Sequence, residues 1–439
     1  MSRSEKTATK IVELITIGNE ILDGRVTDTN RVYLGRELKN LGFEVRYAQS
    51  VDDDQERIVD AFTLAASRSD LIFCTGGLGP TSDDITAEAF AKFLDVPYLL
   101  DSEAEKFVRK VLTDRKREAN PSQLKQAYLA EGCKMLFNPI GTAPGFSYAG
   151  KLSQKNVSFY FFPGIPHELH AIFEKEVLPI FQSAAEKGLF RTYTWSTIFT
   201  AESDLQERLK AIEAKILPLK LGFRTQFPEN FVSLMGEVEN ADEKKWEEAR
   251  SAIDKVLAPL SYQSQTTYSF EEKLLKELAA RRARLLLVES CTGGLLSHLL
   301  TQVAGASSVV WGSQVCYANE EKFRLGVDPK IIEEVGAVSE ECALAMAEQG
   351  LERLCKDSVN NAQLLLSLST TGIAGPGGAT ERKPVGLFYI GLACKNLQSG
   401  ELQRFHEKIL APQFYDRQTM KLYMAKKALE FLRVNILIP

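Results

Sequence analysis

Long apolar runs are missing from this chain: the longest, Val385 to Cys394, is ten residues with two glycines, well short of the roughly 18 that a bilayer-spanning helix needs. Met1 to Lys10 is polar with no apolar core behind it, so no secretory signal is expected. There is no excess of positive charge either. Lys plus Arg, 53, against Asp plus Glu, 58, gives −5, which excludes the broad positive field of non-specific nucleic-acid binding but leaves a local basic groove open. The seven cysteines, at 74, 133, 291, 316, 342, 355 and 394, form no CxxC pair and no metal-ligand cluster with the four histidines. Their odd number argues against a full disulfide framework, and a reducing cytoplasm is the expected setting.

What is present is ordinary for a globular protein, 44% apolar and 25% charged residues in 439, enough for roughly three cores. Val12 to Ile17 is β-rich, and Leu34, Leu38 and Leu41 then recur at helical spacing until Gly42. Val45–Val51, Gln55–Ser67, Leu71–Cys74 and Asp84–Leu94 continue the alternation of strand and helix, which favours a parallel sheet covered on both faces. Phe159 to Phe162 reads as a buried strand, and Leu169–Phe181 as the last helix of this part.

From Thr192 to Leu260 the texture is that of a small α+β module, with strands near Tyr193–Thr200, Phe223 and Val232 and helices over Asp204–Ile216 and Ala241–Leu257. Tyr262–Tyr268, rich in Ser, Thr and Gln, reads as a linker. A second α/β sandwich follows: helix Phe270–Arg282, strand Leu285–Val288, helix Leu295–Val303, strands Leu364–Ser369 and Val385–Cys394, and a closing helix from Arg417 to Leu432.

Ligands of open α/β sheets collect beyond the carboxyl ends of the strands, where this chain has its polar, glycine-rich loops. Gly18-Asn19-Glu20 follows the first strand, and Thr75-Gly76-Gly77-Leu78-Gly79-Pro80-Thr81-Ser82-Asp83-Asp84 the third. Glycines there let a backbone approach phosphate closely. Asp83, Asp84 and Glu20 next to a phosphate imply a hard cation such as Mg²⁺ between them; the bland alternative is a turn whose aspartates favour a helix dipole. Asp28, before Thr29-Asn30, reads by itself as an N-cap, and Lys125 is either a phosphate partner or a solvated charge. Gly141-Thr142-Ala143-Pro144-Gly145 and Pro163-Gly164-Ile165-Pro166 are further turns.

In the last third, Glu289-Ser290-Cys291-Thr292-Gly293-Gly294 places a hydroxyl at a strand end before two glycines whose N–H groups suit an oxyanion. Ser290 is then a nucleophile or an N-cap. His298 and His406 lie outside the glycine loops, which disfavours a Ser-His-Asp set, and Tyr317 and Lys322 are the groups left to take a proton, a desolvated Lys serving as base. Arg417, near the start of the last helix, is a phosphate fork or a surface ion-pair member.

Together these segments resemble the CinA family of competence and damage-inducible proteins over nearly the whole chain. IGNEILDGRVTDTN, TGGLGPTSDDITAEA, GTAPG and PGIP resemble its molybdopterin-binding-like domain, and ESCTGG, YANEEK, GAVSEE, TGIAGPGG and KPVG its C-terminal domain. The resemblance implies an α/β fold with two three-layer αβα sandwich domains, residues 8–182 and 268–437, joined by a small KH-like α+β domain at 190–262. It implies metal-dependent hydrolysis of ADP-ribose to AMP and ribose 5-phosphate in the first, and deamidation of nicotinamide mononucleotide to nicotinic acid mononucleotide and ammonia in the last.

Carried over by position, Ser290 is the acyl nucleophile, Tyr317 and Lys322 move its proton, and Thr371 holds the amide or transition state. Gly293, Gly294, Gly375 and Arg417 bind substrate; Tyr415-Asp416 stands where a Gly-Asp pair usually precedes the arginine, and Phe323 to Val327 is one leucine shorter than the common pattern. In the first domain Asp84 is catalytic, Glu20, Asp83 and Asp84 hold a divalent metal, with a monovalent cation allowed beside it, and Gly18, Asp28, Asn30, Gly76, Gly77, Gly79, Thr81, Lys125 and Gly145 bind the nucleotide. No cofactor is implied for the deamidase, and a homodimer is the usual family assembly. The second function class is a molybdopterin- or nucleotide-binding module without N-terminal turnover, serving competence or recombination factors; carboxylates beside the glycine loop favour hydrolysis over it.

Overall fold

The computed structural model describes residues 10–41, 43–152, 155–185, 190–237, 241–264, 268–356 and 361–438. The polar start through residue 9, Gly42 and the middle of the expected linker, 265–267, lie outside the described residues. The chain divides into two compact units, Met1–Thr192 with Met235–Trp246, and Tyr193–Leu234 with Glu247–Pro439.

The first unit contains β1 (Ile11–Ile17), β2 (Glu44–Val51), β3 (Leu71–Thr75), the separate pair β4 (Tyr98–Leu100) and β5 (Tyr128–Ala130), then β6 (Lys134–Leu136), β7 (Gly145–Leu152) and β8 (Lys155–Phe162). Its six-stranded sheet runs β2-β1-β3-β8-β7-β6. The first four strands are parallel, as the alternation favoured, whereas β7 pairs antiparallel with β8 and β6 antiparallel with β7, so the sheet is mixed. β7 and β8 follow one another too closely for the crossover that a parallel pair requires.

Period-two alternation sends Ile15, Ile17, Ile72 and Cys74 into one core, with Phe62 of helix Gln55–Arg68 and Phe90 of helix Thr86–Leu94. Val12, Leu14, Leu71 and Phe73 enter the other, with Leu34 of helix Thr29–Asn40 and Leu169 of helix Pro166–Ile172. One sheet between two apolar cores is a three-layer sandwich. The expected helix Leu169–Phe181 is instead helix Pro166–Ile172, a π-turn over Phe173–Val177 and helix Leu178–Ala185.

A four-stranded sheet follows, β9 (Phe190–Ile198), β10 (Lys220–Gln226), β11 (Glu229–Glu237) and β12 (Ser261–Ser264) in the order β10-β11-β9-β12, with helices Glu202–Ile216 and Glu243–Leu257. Tyr262 to Ser264 is therefore strand and not linker: β12 pairs antiparallel with β9, and Tyr262 and Gln263 are buried. Within the second unit Lys426 Nζ lies 2.8 Å from Glu229 Oε1 and 2.7 Å from Glu271 Oε1, all three side chains being buried or nearly so. Tyr262 Oη donates to Glu229 Oε2 at 2.6 Å.

The second unit's own sheet has five strands, β13 (Ala283–Glu289), β14 (Val310–Val315), β15 (Leu364–Gly372), β16 (Leu387–Asn396) and β17 (Leu402–Leu410), ordered β14-β13-β15-β16-β17. β14, β13 and β15 are parallel, β16 and β17 antiparallel. Leu285, Leu287 and Leu366 pack with helices Phe270–Ala280, Leu295–Thr301 and Arg417–Leu437; Leu286, Val288 and Leu365 pack with Leu325 and helix Glu340–Lys356. The α/β expectation of two sandwiches and a small α+β module is thus met. β13 pairs Leu285 with Val310 but Leu286 with Gly312, so Trp311 is an extra residue in β14, a bulge. No helix among the described residues is long and apolar enough to cross a membrane.

Candidate active site

Because β13, β14 and β15 are parallel and adjacent, their carboxyl ends deliver three loops to one place. Glu289 faces Val315 on one side and Thr370 on the other, so Ser290, Tyr317 and Thr371 emerge together. They line a cavity of about 230 Å³ with Cys291, Asn319, Lys322, Gly372, Ile373, Gly375 and Arg417. A larger cavity, about 560 Å³, is lined by Ser297, Thr301 and Trp311 among others, and its lining contains no titratable side chain.

Lys322, on helix Asn319–Leu325, is 1% exposed. Its Nζ donates to Cys316 O at 2.8 Å and Tyr317 O at 3.3 Å, and lies 3.1 Å from Ser290 Oγ. Burial pushes its pKa below the ordinary lysine value. The three N–H bonds of the ammonium match its three contacts, Ser290 Oγ accepting the third; release of that proton would leave two N–H bonds on the carbonyls and turn a lone pair to the Ser290 hydroxyl. Ser290 is 7% exposed and lines the cavity. The hydroxyl-and-amine pair expected from the sequence is therefore assembled, across 32 residues of chain.

Three other expectations change. Gly293 N donates to Ser290 O at 3.1 Å and Gly294 N to Glu289 Oε2 at 2.9 Å, so neither amide is available for an oxyanion; both glycines have positive φ and serve the turn. Cys291 lines the cavity, and its N–H makes no backbone–backbone hydrogen bond among the described residues. Tyr317 is 60% exposed and its hydroxyl accepts from Arg417 Nη2 at 2.9 Å, so it meets the arginine and not the serine proton. Thr371 Oγ1 donates to Ala337 O at 2.6 Å, which commits its proton to holding the GAVSEE loop and leaves its lone pairs.

Arg417 also donates to Gly375 O, and at the first turn of the last helix it lies at the cavity. Lys421, one turn on, was not anticipated from the sequence: a Cβ on Gly293 would lie 3.3 Å from its Nζ. The i, i+4 spacing of Arg417 and Lys421 at the start of the last helix is the signal that could have found it.

In the first unit, Gly76 and Gly77 wrap the start of helix Thr86–Leu94: Thr86 Oγ1 donates to Gly76 O at 2.9 Å, and a Cβ on Gly76 would lie 2.0 Å from Ile17 O. Thr81 donates to Asp84 Oδ2 through its N at 2.8 Å and its Oγ1 at 2.6 Å, with Gly79 packed against the same carboxylate. Lys125 Nζ donates to Thr81 O at 2.8 Å and Ser82 O at 3.3 Å, so its cation braces this loop. Gly18 lies under Glu20, a Cβ there coming 2.9 Å from Glu20 Oε1. Asn30 Nδ2 donates to Gly164 O at 2.7 Å, and its Oδ1 is buried without a partner.

Two expected ligand groups face elsewhere. Asp28 accepts from Thr16 Oγ1 at 2.6 Å and Arg31 N at 2.9 Å, the buried N-cap of its helix. Gly145 opens β7 opposite Leu136, where a Cβ would lie 2.6 Å from Phe161 O; sheet packing requires it.

Asp53 was missed. Its Oδ2 accepts from Asn19 N at 3.1 Å, and its pKa is raised by burial and, less, by the charges of Glu20, Asp83 and Asp84. Among the described residues no three His, Cys, Asp or Glu side chains stand close enough to hold a metal ion alone. The closed ligand set Glu20, Asp83 and Asp84 is therefore not formed, since Asp84 is folded back on Thr81 and Asp83 accepts from Ser82 Oγ at 3.0 Å. The donors are nonetheless hard oxygens of the kind that hold Mg²⁺ jointly with substrate phosphates.

Comparison with known proteins agrees with this division. Residues 267–436 match the model of the CinA C-terminal domain, and residues 13–183 that of the probable molybdopterin binding domain. A CinA-like protein of Desulfosudis oleivorans is 36% identical, covering 97% of this chain and 100% of its own. A putative competence-damage inducible protein of Caldicellulosiruptor bescii is 34% identical over 97% and 99%. The solved structure of the protein CinA from Thermoplasma acidophilum, described as of unknown function, is 34% identical over 40% of this chain and 98% of its own, with a TM-score of 0.36. With relatives matched at this identity from end to end, the chain belongs to the CinA family.

Proposed function

We propose that the second unit is an amidase that converts nicotinamide mononucleotide and water to nicotinic acid mononucleotide and ammonia. The observation that carries this reading is the buried Lys322 amine, tied by two carbonyls and directed at Ser290 Oγ. Ser290 Oγ bonds to the carboxamide carbon while its proton passes to Nζ. The oxyanion is received by the Cys291 amide. The C–N bond breaks as Nζ returns the proton to the departing nitrogen, and water, deprotonated by the same amine, cleaves the acyl ester. Arg417 and Lys421 hold the anionic phosphate. The Tyr317 hydroxyl orients Arg417.

For the first unit we propose hydrolysis of the pyrophosphate of ADP-ribose to AMP and ribose 5-phosphate. The mutual charge of Asp53, Glu20, Asp83 and Asp84 favours it over a passive binding module, because a site for phosphate alone gains from cations and not from four carboxylates. Asp83 or Asp84, with Glu20, would hold a divalent cation brought with the nucleotide; that ion would neutralise phosphate charge and polarise the phosphorus. The chain's own part is to present the Gly76–Gly79 backbone to the phosphates.

The test is incubation of the purified chain with nicotinamide mononucleotide and, separately, ADP-ribose, each with Mg²⁺ and with EDTA. Ammonia with nicotinic acid mononucleotide is expected in both conditions, and is absent in Ser290→Ala; AMP is expected only with Mg²⁺. No ammonia from the parent chain overturns the amidase reading, and no AMP with Mg²⁺ overturns the other.

A further inference from the structure

Glu289 is 0% exposed, and the chemistry above gives it no task. Among the described residues no Lys, Arg or His lies within ion-pair distance of it. It is instead surrounded by donors. Its Oε2 accepts from Thr292 Oγ1 at 2.8 Å, Gly294 N at 2.9 Å and Leu296 N at 3.1 Å; its Oε1 accepts from Ser297 N at 2.9 Å and Ser313 Oγ at 3.2 Å. Thr292 Oγ1 is also 2.9 Å from Thr370 Oγ1. A buried carboxylate without a cation is costly unless its lone pairs are filled, and here five donors from three segments fill them.

We infer that Glu289 is the positioning residue of the nucleophile loop: its carboxylate, directly before Ser290, fixes the Cys291–Gly294 turn and so sets the distance between Ser290 Oγ and Lys322 Nζ. The reason is geometric. The turn has two residues at positive φ, Gly293 and Gly294, and its own backbone supplies only the bond from Gly293 N to Ser290 O and that from Leu295 N to Thr292 O. Ser290 N is held by Thr370 O, Thr292 Oγ1 meets Thr370 Oγ1, and Gly294 O accepts from His298 N and Ser297 Oγ; the Glu289 carboxylate alone gathers the turn, the helix start and β14 on one group. The donor from Ser313 ties the same carboxylate to β14, which leads to Tyr317 and Lys322. One side chain therefore registers nucleophile and base against each other.

A glutamine keeps the shape but turns an NH₂ toward groups that are themselves donors, so at least one contact becomes repulsive. The fold keeps its apolar cores, while the loop shifts; a misplacement of roughly 1 Å costs about 100-fold in rate.

The inference rests on the amidase reading, and the experiment separates the two. The full chain, Glu289→Gln, Glu289→Asp and Ser290→Ala are compared for kcat and KM on nicotinamide mononucleotide, and for covalent labelling by a fluorophosphonate read by intact mass. Expected are labelling of the parent, none of Ser290→Ala, labelling about 100-fold slower in Glu289→Gln with partial recovery in Glu289→Asp, and a matching fall in kcat with KM within threefold. Glu289→Gln labelling at the parent rate overturns the inference, as does a fall in kcat and labelling no larger than the fraction unfolded accounts for. A parent that labels but releases no ammonia overturns the substrate reading and leaves the positioning role standing, if the Glu289 variants label slowly. A parent that does neither overturns both.

Discussion

Replacing Lys322 by Met separates chemistry from stability. Methionine fills nearly the same volume, so the cavity term that dominates large-to-small changes is avoided. Two carbonyls, Cys316 O and Tyr317 O, lose their donor, at about 1–3 kcal/mol each when fully desolvated. Against this, an amine at 1% exposure with no carboxylate within ion-pair distance among the described residues is itself unfavourable to bury, and removing it returns roughly as much. Melting should therefore shift by only a few degrees. On the proposed mechanism catalysis is not offset in this way: losing the amine that meets Ser290 Oγ at 3.1 Å as its base should remove about 10²–10⁴ in rate, or roughly 3–5 kcal/mol of barrier. Burial disfavours the charged amine, and the base must be neutral, so kcat/KM of the parent should rise with pH through an ionisation below the ordinary lysine value of about 10.4, a limb missing from the variant. Ammonia release followed across pH, beside thermal melts, is the assay. A Lys322→Met enzyme within threefold of the parent kcat, or with the same rising limb, refutes the reasoning.

In the first unit, Asp84→Asn should reduce Mg²⁺-dependent AMP formation from ADP-ribose at least tenfold while ammonia release from the second unit is unchanged; parallel loss of both would indicate damage to the whole chain instead. Lys426→Met leaves Glu229 and Glu271 buried without their cation and should cost about 3–5 kcal/mol, measured by urea unfolding; an unchanged midpoint contradicts it. Burial alone would lower the Lys426 pKa, but Glu229 and Glu271 raise it above the ordinary value. Its contribution is therefore complete below the unfolded lysine value of about 10.4 and lost as pH rises through the higher folded value, so parent and variant should converge only in strong alkali.

The readable part of this chain was the part that local patterning controls. Leu285 to Val288 and Leu71 to Cys74 announce themselves because strands buried on both faces need continuous apolar residues, and the glycine loops after them because only such residues fit the turns. Ser290 with Lys322 could be paired by motif, yet their 3.1 Å meeting depends on β13 and β14 being neighbours, which no local pattern states. Glu289 was passed over as the first letter of a motif, since a glutamate at a strand end normally points to water; its burial follows from five donors contributed by loop, helix and adjacent strand. Asp53 was hidden for a similar reason, since the charges of Glu20, Asp83 and Asp84 that act on it come from distant parts of the sequence. The glycine amides at 293 and 294 show the converse error: backbone donors that look free in a sequence are claimed on folding, Gly293 N by the Ser290 carbonyl and Gly294 N by the Glu289 carboxylate.

The bulge at Trp311 also bears on how this chain tolerates change. Because β14 carries one residue more than β13 opposite, phase is corrected at the entry of the strand, and from Gly312 to Val315 the partners run in step up to Glu289. Insertions or losses ahead of Trp311 can be absorbed where the two strands are already offset, whereas a single deletion between Gly312 and Val315 would rotate every following side chain by half a pleat and carry the amine away from the hydroxyl it serves. Length drift in this lineage should accordingly accumulate upstream of that tryptophan.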